Sequence, residues 1–223
     1  QQMKRRTKTL FSLRADSGCK NRVIVHISAL PFYTVDEEKR SGMPSIANSV
    51  NFYAKRGWKT VFLYPSAKKI EPIKYGQDIC LFPIYFPFLP SGNNDIVRNM
   101  KTIFFSFVYM ILFPAFIYKI VFKTAPHLIY SHGAAAVFPS KILAKILNVP
   151  VVSRLYGIGS SDVLKKSKIS SWKELKELYW ALPEWIALKL KADAYVITDD
   201  GSDGENIAKK FGIYDRSFIA RNG

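Results

Sequence analysis

Three short stretches carry residue types that could hold a ligand and act on it. The first, Ser41-Gly42-Met43-Pro44, opens a helix, and the N-terminus of a helix offers free backbone N–H groups to a phosphate. The same residues also serve ordinary helix capping. The second is Ser131-His132-Gly133, at the end of the apolar run Leu128-Ile129-Tyr130. An isolated histidine is commonly a satisfied structural residue, but its place at a strand's carboxyl end suits a polar site. The third is Arg154-Leu155-Tyr156-Gly157-Ile158-Gly159-Ser160-Ser161-Asp162. Glycines there let backbone approach a ligand closely, and Arg154 or Tyr156 can bind an anion or a sugar. The alternative is a glycine-rich connector with polar surface groups. No G-x-G-x-x-G and no Walker lysine motif occurs, which counts against a dinucleotide dehydrogenase and a P-loop NTPase. Three histidines (His26, His127, His132) and two cysteines (Cys19, Cys80) without metal or redox spacing argue against a zinc site and suit a reducing compartment.

Alternating elements are needed to position these loops. Val23-Ile24-Val25-His26-Ile27-Ser28 is a continuous apolar run of the kind buried on both faces of a parallel sheet. Pro44 fits a first helical residue, an apolar stripe follows through Ile46, Val50 and Ala54, and Gly57 ends it. Strands are expected at Thr60–Tyr64, Ile79–Ile84 (Pro83 marking an edge or strand end), His127–Ser131, Val151–Leu155, Ala194–Thr198 and Ser217–Ala220. Helices are expected over Ala134–Leu147 and Trp172–Leu190, the latter interrupted or kinked near Pro183. A short helix follows Asp199-Asp200-Gly201, with Ser202 and Glu205 spaced as a capping box. This alternation predicts an α/β fold: a Rossmann-like open parallel sheet with helices on both faces. Ending on Asn222-Gly223 after a strand, the chain reads as the first half of a larger protein.

The 223 residues carry 33 Lys+Arg against 17 Asp+Glu, a net charge of +16 that predicts an anionic partner: nucleic acid, acidic membrane or phosphorylated substrate. Residues 1–20 are polar and basic, with one apolar island too short for a signal-peptide core, and read as a loose tail that could lie on anionic lipid. One segment breaks the α/β rhythm. From Ile103 to Phe122 the chain is long and apolar enough to span a bilayer, with Lys119 its single charge. Spanning would part the strands on either side of it, so it ranks last among three readings. A buried crossover helix ranks first, and an interfacial helix with Phe104, Phe107 and Phe116 against lipid ranks second.

Motif order adds a resemblance. Gly42 before a helix and Arg56-Gly57-Trp58-Lys59-Thr60-Val61 come first; Pro126-His127-Leu128-Ile129-Tyr130-Ser131-His132-Gly133 follows. Asn148-Val149-Pro150-Val151-Val152 then leads to Tyr156-Gly157, and Lys191-Ala192-Asp193-Ala194 leads to Phe211-Gly212-Ile213 and Arg221-Asn222-Gly223. Over 21–223 this resembles the N-terminal domain of family 4 glycosyltransferases, retaining enzymes of the GT-B fold. The resemblance implies an acceptor-side domain over 21–223, behind a basic tail at 1–20. A C-terminal domain holding most of the donor would lie outside this chain. It places Gly42 in the loop that approaches the donor phosphates and transferred sugar. Asn222-Gly223 falls at the Asn-Gly before the crossing to the second domain. Family members commonly carry histidine where this chain has Tyr156. The replacement puts in question a carry-over of that histidine's role, while a tyrosine hydroxyl retains the capacity to bond a sugar.

The expected function is the acceptor-binding half of a membrane-associated, nucleotide-sugar-dependent glycosyltransferase of glycan or glycolipid biosynthesis. Tyr156 is the candidate catalytic residue; Gly42, His132, Arg154, Gly157, Asn222 and Gly223 are the candidate donor- or acceptor-binding residues. No metal and no cofactor is expected; a nucleoside-diphosphate sugar is the donor substrate and a sugar or lipid-linked molecule the acceptor. The expected location is the cytoplasmic face of a membrane, as a peripheral protein on an anionic surface. Two other classes compete: a Rossmann-like nucleic-acid-binding module and a single-pass membrane protein. The first needs basic residues gathered on one face with aromatic stacking partners, whereas the lysines here are dispersed.

Overall fold

The structure, a computed structural model, describes residues 22–29, 44–75, 77–87, 95–158, 161–165, 171–199, 201 and 203–221. Eight strands form one sheet: β1 (Val23–Ser28), β2 (Lys59–Ser66), β3 (Ile73–Tyr75), β4 (Ile79–Tyr85), β5 (Leu128–His132), β6 (Val151–Tyr156), β7 (Ala194–Asp199) and β8 (Ser217–Arg221). Their order is β3-β4-β2-β1-β5-β6-β7-β8, and every pairing is parallel except that of β3 with β4. The described helices are α1 (Pro44–Ala54), α2 (Asp95–Thr124), α3 (Ala134–Leu147), α4 (Ser161–Lys165), α5 (Trp172–Lys189) and α6 (Gly204–Lys210). The open, mostly parallel α/β sheet expected from the alternation is therefore present.

Strand alternation sorts the two faces of this sheet. Val25 and Ile27 of β1 join a large apolar core with Tyr109, Phe113 and Ile117 of α2, Val137 and Leu143 of α3, Leu188 of α5 and Ile207 of α6. Residues of opposite parity face the other side. There Ile24, Leu128 and Tyr130 pack with Trp58, while Ile46 and Val50 of α1 cover Phe62 and Tyr64. With Leu164 of α4, five helices contribute to one face, and among the described residues α1 alone covers the other.

α2 is the long apolar segment, and its role follows from topology. β4 precedes it and β5 follows it, and both belong to the same sheet. A helix crossing a bilayer would put those strands on opposite sides, so the spanning alternative fails. α2 is a crossover helix with two faces. Phe105, Tyr109, Phe113, Ile117 and Val121 are buried, and the Tyr109 hydroxyl donates to the Ser28 carbonyl at 2.7 Å, fastening the helix to the end of β1. Phe104 (62% exposed), Ile111 (66%), Phe116 (46%) and Phe122 (59%) look outward with Lys119 and Lys123. Phe107 is half-buried. Length and apolar composition made the segment resemble a membrane span because its outward face is apolar as well as the face that covers the core.

Smaller departures have local causes. Helix α5 runs unbroken from Trp172 to Lys189 with Pro183 inside, held by the buried Ala181, Ala187 and Leu188 and started by Ser171, whose hydroxyl accepts from the Glu174 amide. Proline costs this helix one backbone bond without ending it. The N-cap of α6 is Asp203, not Ser202, which lies outside the described residues; its carboxylate pairs with Lys165 and Asn206 instead of capping an amide. The three-residue β3 has no distinct sequence signal, being largely exposed and antiparallel. Pro83 lies past the end of the β3 pairing, where β4 has no strand partner on that side among the described residues. The terminal tail at 1–20 lies outside the described residues.

Gly204 opens α6 against β7, and a Cβ there would fall 2.8 Å from the Ile197 Cγ2. Helix propensity alone would make Gly204→Ala stabilising by about 1 kcal/mol. The contact predicts the opposite: a loss of about 1–3 kcal/mol from overpacking. Urea unfolding of the two proteins decides the sign, and a stabilised variant would mean that α6 slides away from β7 at little cost.

Candidate functional site

Sheet order reverses direction at β1, whose neighbours β2 and β5 lead outward on opposite sides. Ligands of open α/β sheets bind at the carboxyl ends of strands flanking such a point. Here β1 ends at Ser28, β5 at His132 and β6 at Tyr156. The register sets His26 beside Tyr130, Ser28 beside His132, and His132 beside Arg154. All the larger side chains of this set share the face that α1 covers.

His26 and His132, far apart in sequence, meet in the sheet. His26 Nδ1 lies 2.8 Å from His132 Nε2, and His132 Nδ1 lies 2.6 Å from the Tyr156 hydroxyl. The rings of His132 and Tyr156 are nearly parallel, 9° apart, with centroids 6.2 Å from each other. The Arg154 guanidinium stands 5.1 Å above the Tyr156 ring, a cation–π distance, and also bonds the Tyr130 hydroxyl. Around His26 stand Tyr53, Phe62 and Tyr130, with centroids 5.8, 6.3 and 5.2 Å away.

Both imidazoles are neutral at physiological pH. Burial pushes His26 down to about 3. Burial also holds His132 well below the ordinary value, reinforced by His26 beside it and then by the Arg154 charge. Each ring therefore carries one N–H and one lone pair. Burial raises Tyr130, partly countered by Arg154. What the arrangement can do is hydrogen-bond a neutral ligand at Tyr156 while Arg154 supplies a fixed positive charge nearby.

Four of the expected site residues come together here: His132, Arg154, Tyr156 and Gly157 lie on the adjoining ends of β5 and β6. Gly157 has φ 78°, a left-handed turn directly after β6 that glycine adopts without strain. Gly42, Asn222 and Gly223 lie outside the described residues. Phe104, Phe107 and Phe116 sit on α2, over the opposite face of the sheet. Sequence reasoning missed His26 and its aromatic surround. A signal existed: β1 beside β5, as the open-sheet order requires, brings the two strand histidines to one face if their parity is counted. His127, the third histidine, instead accepts from the Val23 amide at 3.2 Å.

The histidine pair also sets a pH dependence. An unfolded histidine titrates near 6.5, whereas folded His26 titrates near 3, so between those values the unfolded chain binds more protons. The stabilising contribution is complete above 6.5 and is lost as pH falls toward 3. The expected slope is about 1.4 kcal/mol per pH unit for each histidine kept neutral. Unfolding midpoints in urea at pH 7 and pH 5 measure it, and His26→Phe should flatten the dependence. An unaltered slope in that variant would assign the effect to other groups.

No protein-family sequence model and no curated protein sequence matches this chain. Its fold does match solved structures. Sucrose-phosphate synthase from Thermosynechococcus elongatus superposes with a TM-score of 0.57 at 11% identity, over 90% of this chain and 47% of that one. A UDP-glucose:anthocyanidin 3-O-glucosyltransferase, solved in complex with UDP, superposes at 0.52 and 16% identity over 91% of this chain and 52% of its own. Arabidopsis thaliana UGT89C1, complexed with UDP-L-rhamnose, gives 0.52 and 12% over 90% and 48%. This chain thus spans about half the length of these structures. At such identities the likeness is one of architecture: the Rossmann-like sheet of glycosyltransferases with the GT-B fold.

Proposed function

We propose that this chain is the acceptor-side half of a nucleotide-sugar-dependent glycosyltransferase that transfers with retention at the anomeric carbon. The observation carrying this reading is the polar cluster His132–Arg154–Tyr156 at the reversal point of a sheet shaped like those of UDP- and UDP-sugar-bound enzymes. In the reaction an acceptor hydroxyl oxygen bonds to the anomeric carbon as the bond from that carbon to the diphosphate oxygen breaks. The hydroxyl proton leaves with the nucleoside diphosphate. Tyr156 bonds a sugar hydroxyl, Arg154 adds positive potential at the cleft, and Gly157 lets the backbone come close. The Gly42 loop is assigned to the donor phosphates and sugar, and Asn222-Gly223 to the passage toward a donor-binding domain. Among the described residues no group of His, Cys, Asp and Glu is gathered to hold a metal.

Membrane association belongs to the same proposal. Support comes from the net charge of +16 and from the outward face of α2, where Phe104, Ile111, Phe116 and Phe122 alternate with Lys119 and Lys123. Such a face suits the headgroup boundary of an anionic bilayer on the cytoplasmic side, and with it a lipid-linked or membrane-proximal sugar acceptor.

Glycosyl transfer requires a closed two-domain cleft that excludes water, so the 223-residue chain alone is expected to be silent. In a protein that includes a donor-binding domain, release of nucleoside diphosphate from a panel of nucleotide sugars, with the product anomer read by NMR, tests the reading. Tyr156→Phe should lower turnover tenfold or more, about 1.4 kcal/mol, without unfolding. Wild-type kinetics would make Tyr156 a packing residue, and an inverted product would end the retaining assignment.

For the membrane part, the chain should sediment with phosphatidylserine-containing vesicles, less so as salt rises, and poorly with phosphatidylcholine alone. Phe104→Ser with Phe116→Ser should reduce the salt-resistant fraction. Phe107 is left intact in this test because it is half-buried. Equal binding to both vesicle types would refute the electrostatic attachment.

A further inference from the structure

We propose that His26 is a positioning residue that acts through His132 to turn the Tyr156 proton inward. Tyr156 then meets its ligand as a hydrogen-bond acceptor and selects a hydroxyl group over an anionic oxygen. The ligand half of this inference rests on the sugar-binding reading of Tyr156 above.

Distance gives the first step. The 2.6 Å contact between Tyr156 and His132 Nδ1 is usual for a hydroxyl donor and shorter than the roughly 2.7–3.2 Å of N–H donors to oxygen. Tyr156 therefore donates and His132 Nδ1 accepts. A neutral imidazole with its lone pair at Nδ1 carries its proton at Nε2. His132 Nε2 then donates to His26 Nδ1 across 2.8 Å, which places the His26 proton on Nε2 in turn. That last N–H has no conventional partner, and His26 is fully buried. Its surroundings are aromatic, with the Tyr53 ring edge-on and Tyr130 and Phe62 close by. Reversing the chain of donors would require an N–H bond to Tyr156 shorter than usual. The short Tyr156 contact thus sets the direction of both hydrogen bonds, and a neutral pair is needed for either to hold.

The chemical consequence falls at Tyr156. Having given its only proton to His132, the phenol oxygen has lone pairs alone to offer. A sugar hydroxyl can donate to them. An ionised oxygen has no proton to donate, and the two would repel.

Long-range proton–nitrogen NMR spectra of the histidine-labelled chain at pH 7 test the direction. Both His26 and His132 should be Nε2–H tautomers, with the His132 Nδ1 resonance moved by hydrogen bonding. Tyr156→Phe should return that resonance to the position of a free nitrogen. His26→Gln offers an amide oxygen to His132 Nε2–H and should keep the tautomer; His26→Phe removes the acceptor and should lose it. If His26→Phe does not fold, the wild-type and His26→Gln spectra still decide. Titration with glucose should shift the His132 Nδ1 signal, and sulfate, an anion with no proton to donate at pH 7, should not. An Nδ1–H tautomer at His132, a response to sulfate, or silence toward glucose would each overturn the proposal. None of these readings needs turnover, so failure of the transferase reading would be seen separately, as absent glycosyl transfer with the tautomers and glucose response intact.

Discussion

The parallel pairing of β1 with β5 is the contact on which the rest of the molecule depends. It joins Ile24–Ser28 to Leu128–His132, segments about a hundred residues apart, and closing so long a loop costs only slightly more than closing a short one. The pairing fixes the point where the sheet reverses order, so it fixes where a ligand can enter. It brings His26 within bonding distance of His132. It also dictates α2, since a parallel return needs a crossover element to carry the chain back along the sheet.

The two faces divide the work of stability and function. On the helix-rich face, side chains such as Phe113, Ile117, Leu143 and Tyr195 are entirely enclosed or nearly so, each contributing on the order of 1.5–3 kcal/mol by burial. On the opposite face buried polar groups stand among the apolar ones. His26 Nε2 and Thr198 Oγ1 have no hydrogen-bond partner among the described residues, and such groups cost about 1–3 kcal/mol apiece. The apolar face offsets that expense many times over. A polar cluster at the reversal point is therefore sustained by packing on the other side of the sheet.

Much of this architecture was legible because its signals are local. Runs such as Val151–Leu155 and the stripe of Ala134–Leu147 declare strand and helix by composition and period, and the structure returns them almost residue for residue. Pro183 does not interrupt α5, because propensity describes an isolated helix while this one is held by the buried Leu188 and its neighbours. β3 escaped because three residues, two of them exposed, carry no period. In the candidate site, His132, Arg154 and Tyr156 were visible as polar residues at strand ends. His26 was not, since its meaning arises only from the partner strand. A residue inside an apolar run looks structural until the neighbouring strand is known.

α2 has a consequence in time as well as in space. During synthesis it is complete before β5, β6, β7 and β8 have left the ribosome. At the usual rate of about 5–20 residues per second, the roughly twenty residues that hold β5 and α3 take about 1–4 s to follow it. Throughout that interval the helix has neither α3 nor β5 to cover Tyr109, Phe113 and Ile117, and both of its sides are apolar. To any factor that samples nascent chains by greasiness alone, this segment is indistinguishable from a membrane anchor. The hazard of insertion or aggregation is greatest before the sheet exists and ends when β5 docks beside β1. The connector of the fold is thus most conspicuous while there is nothing yet for it to connect.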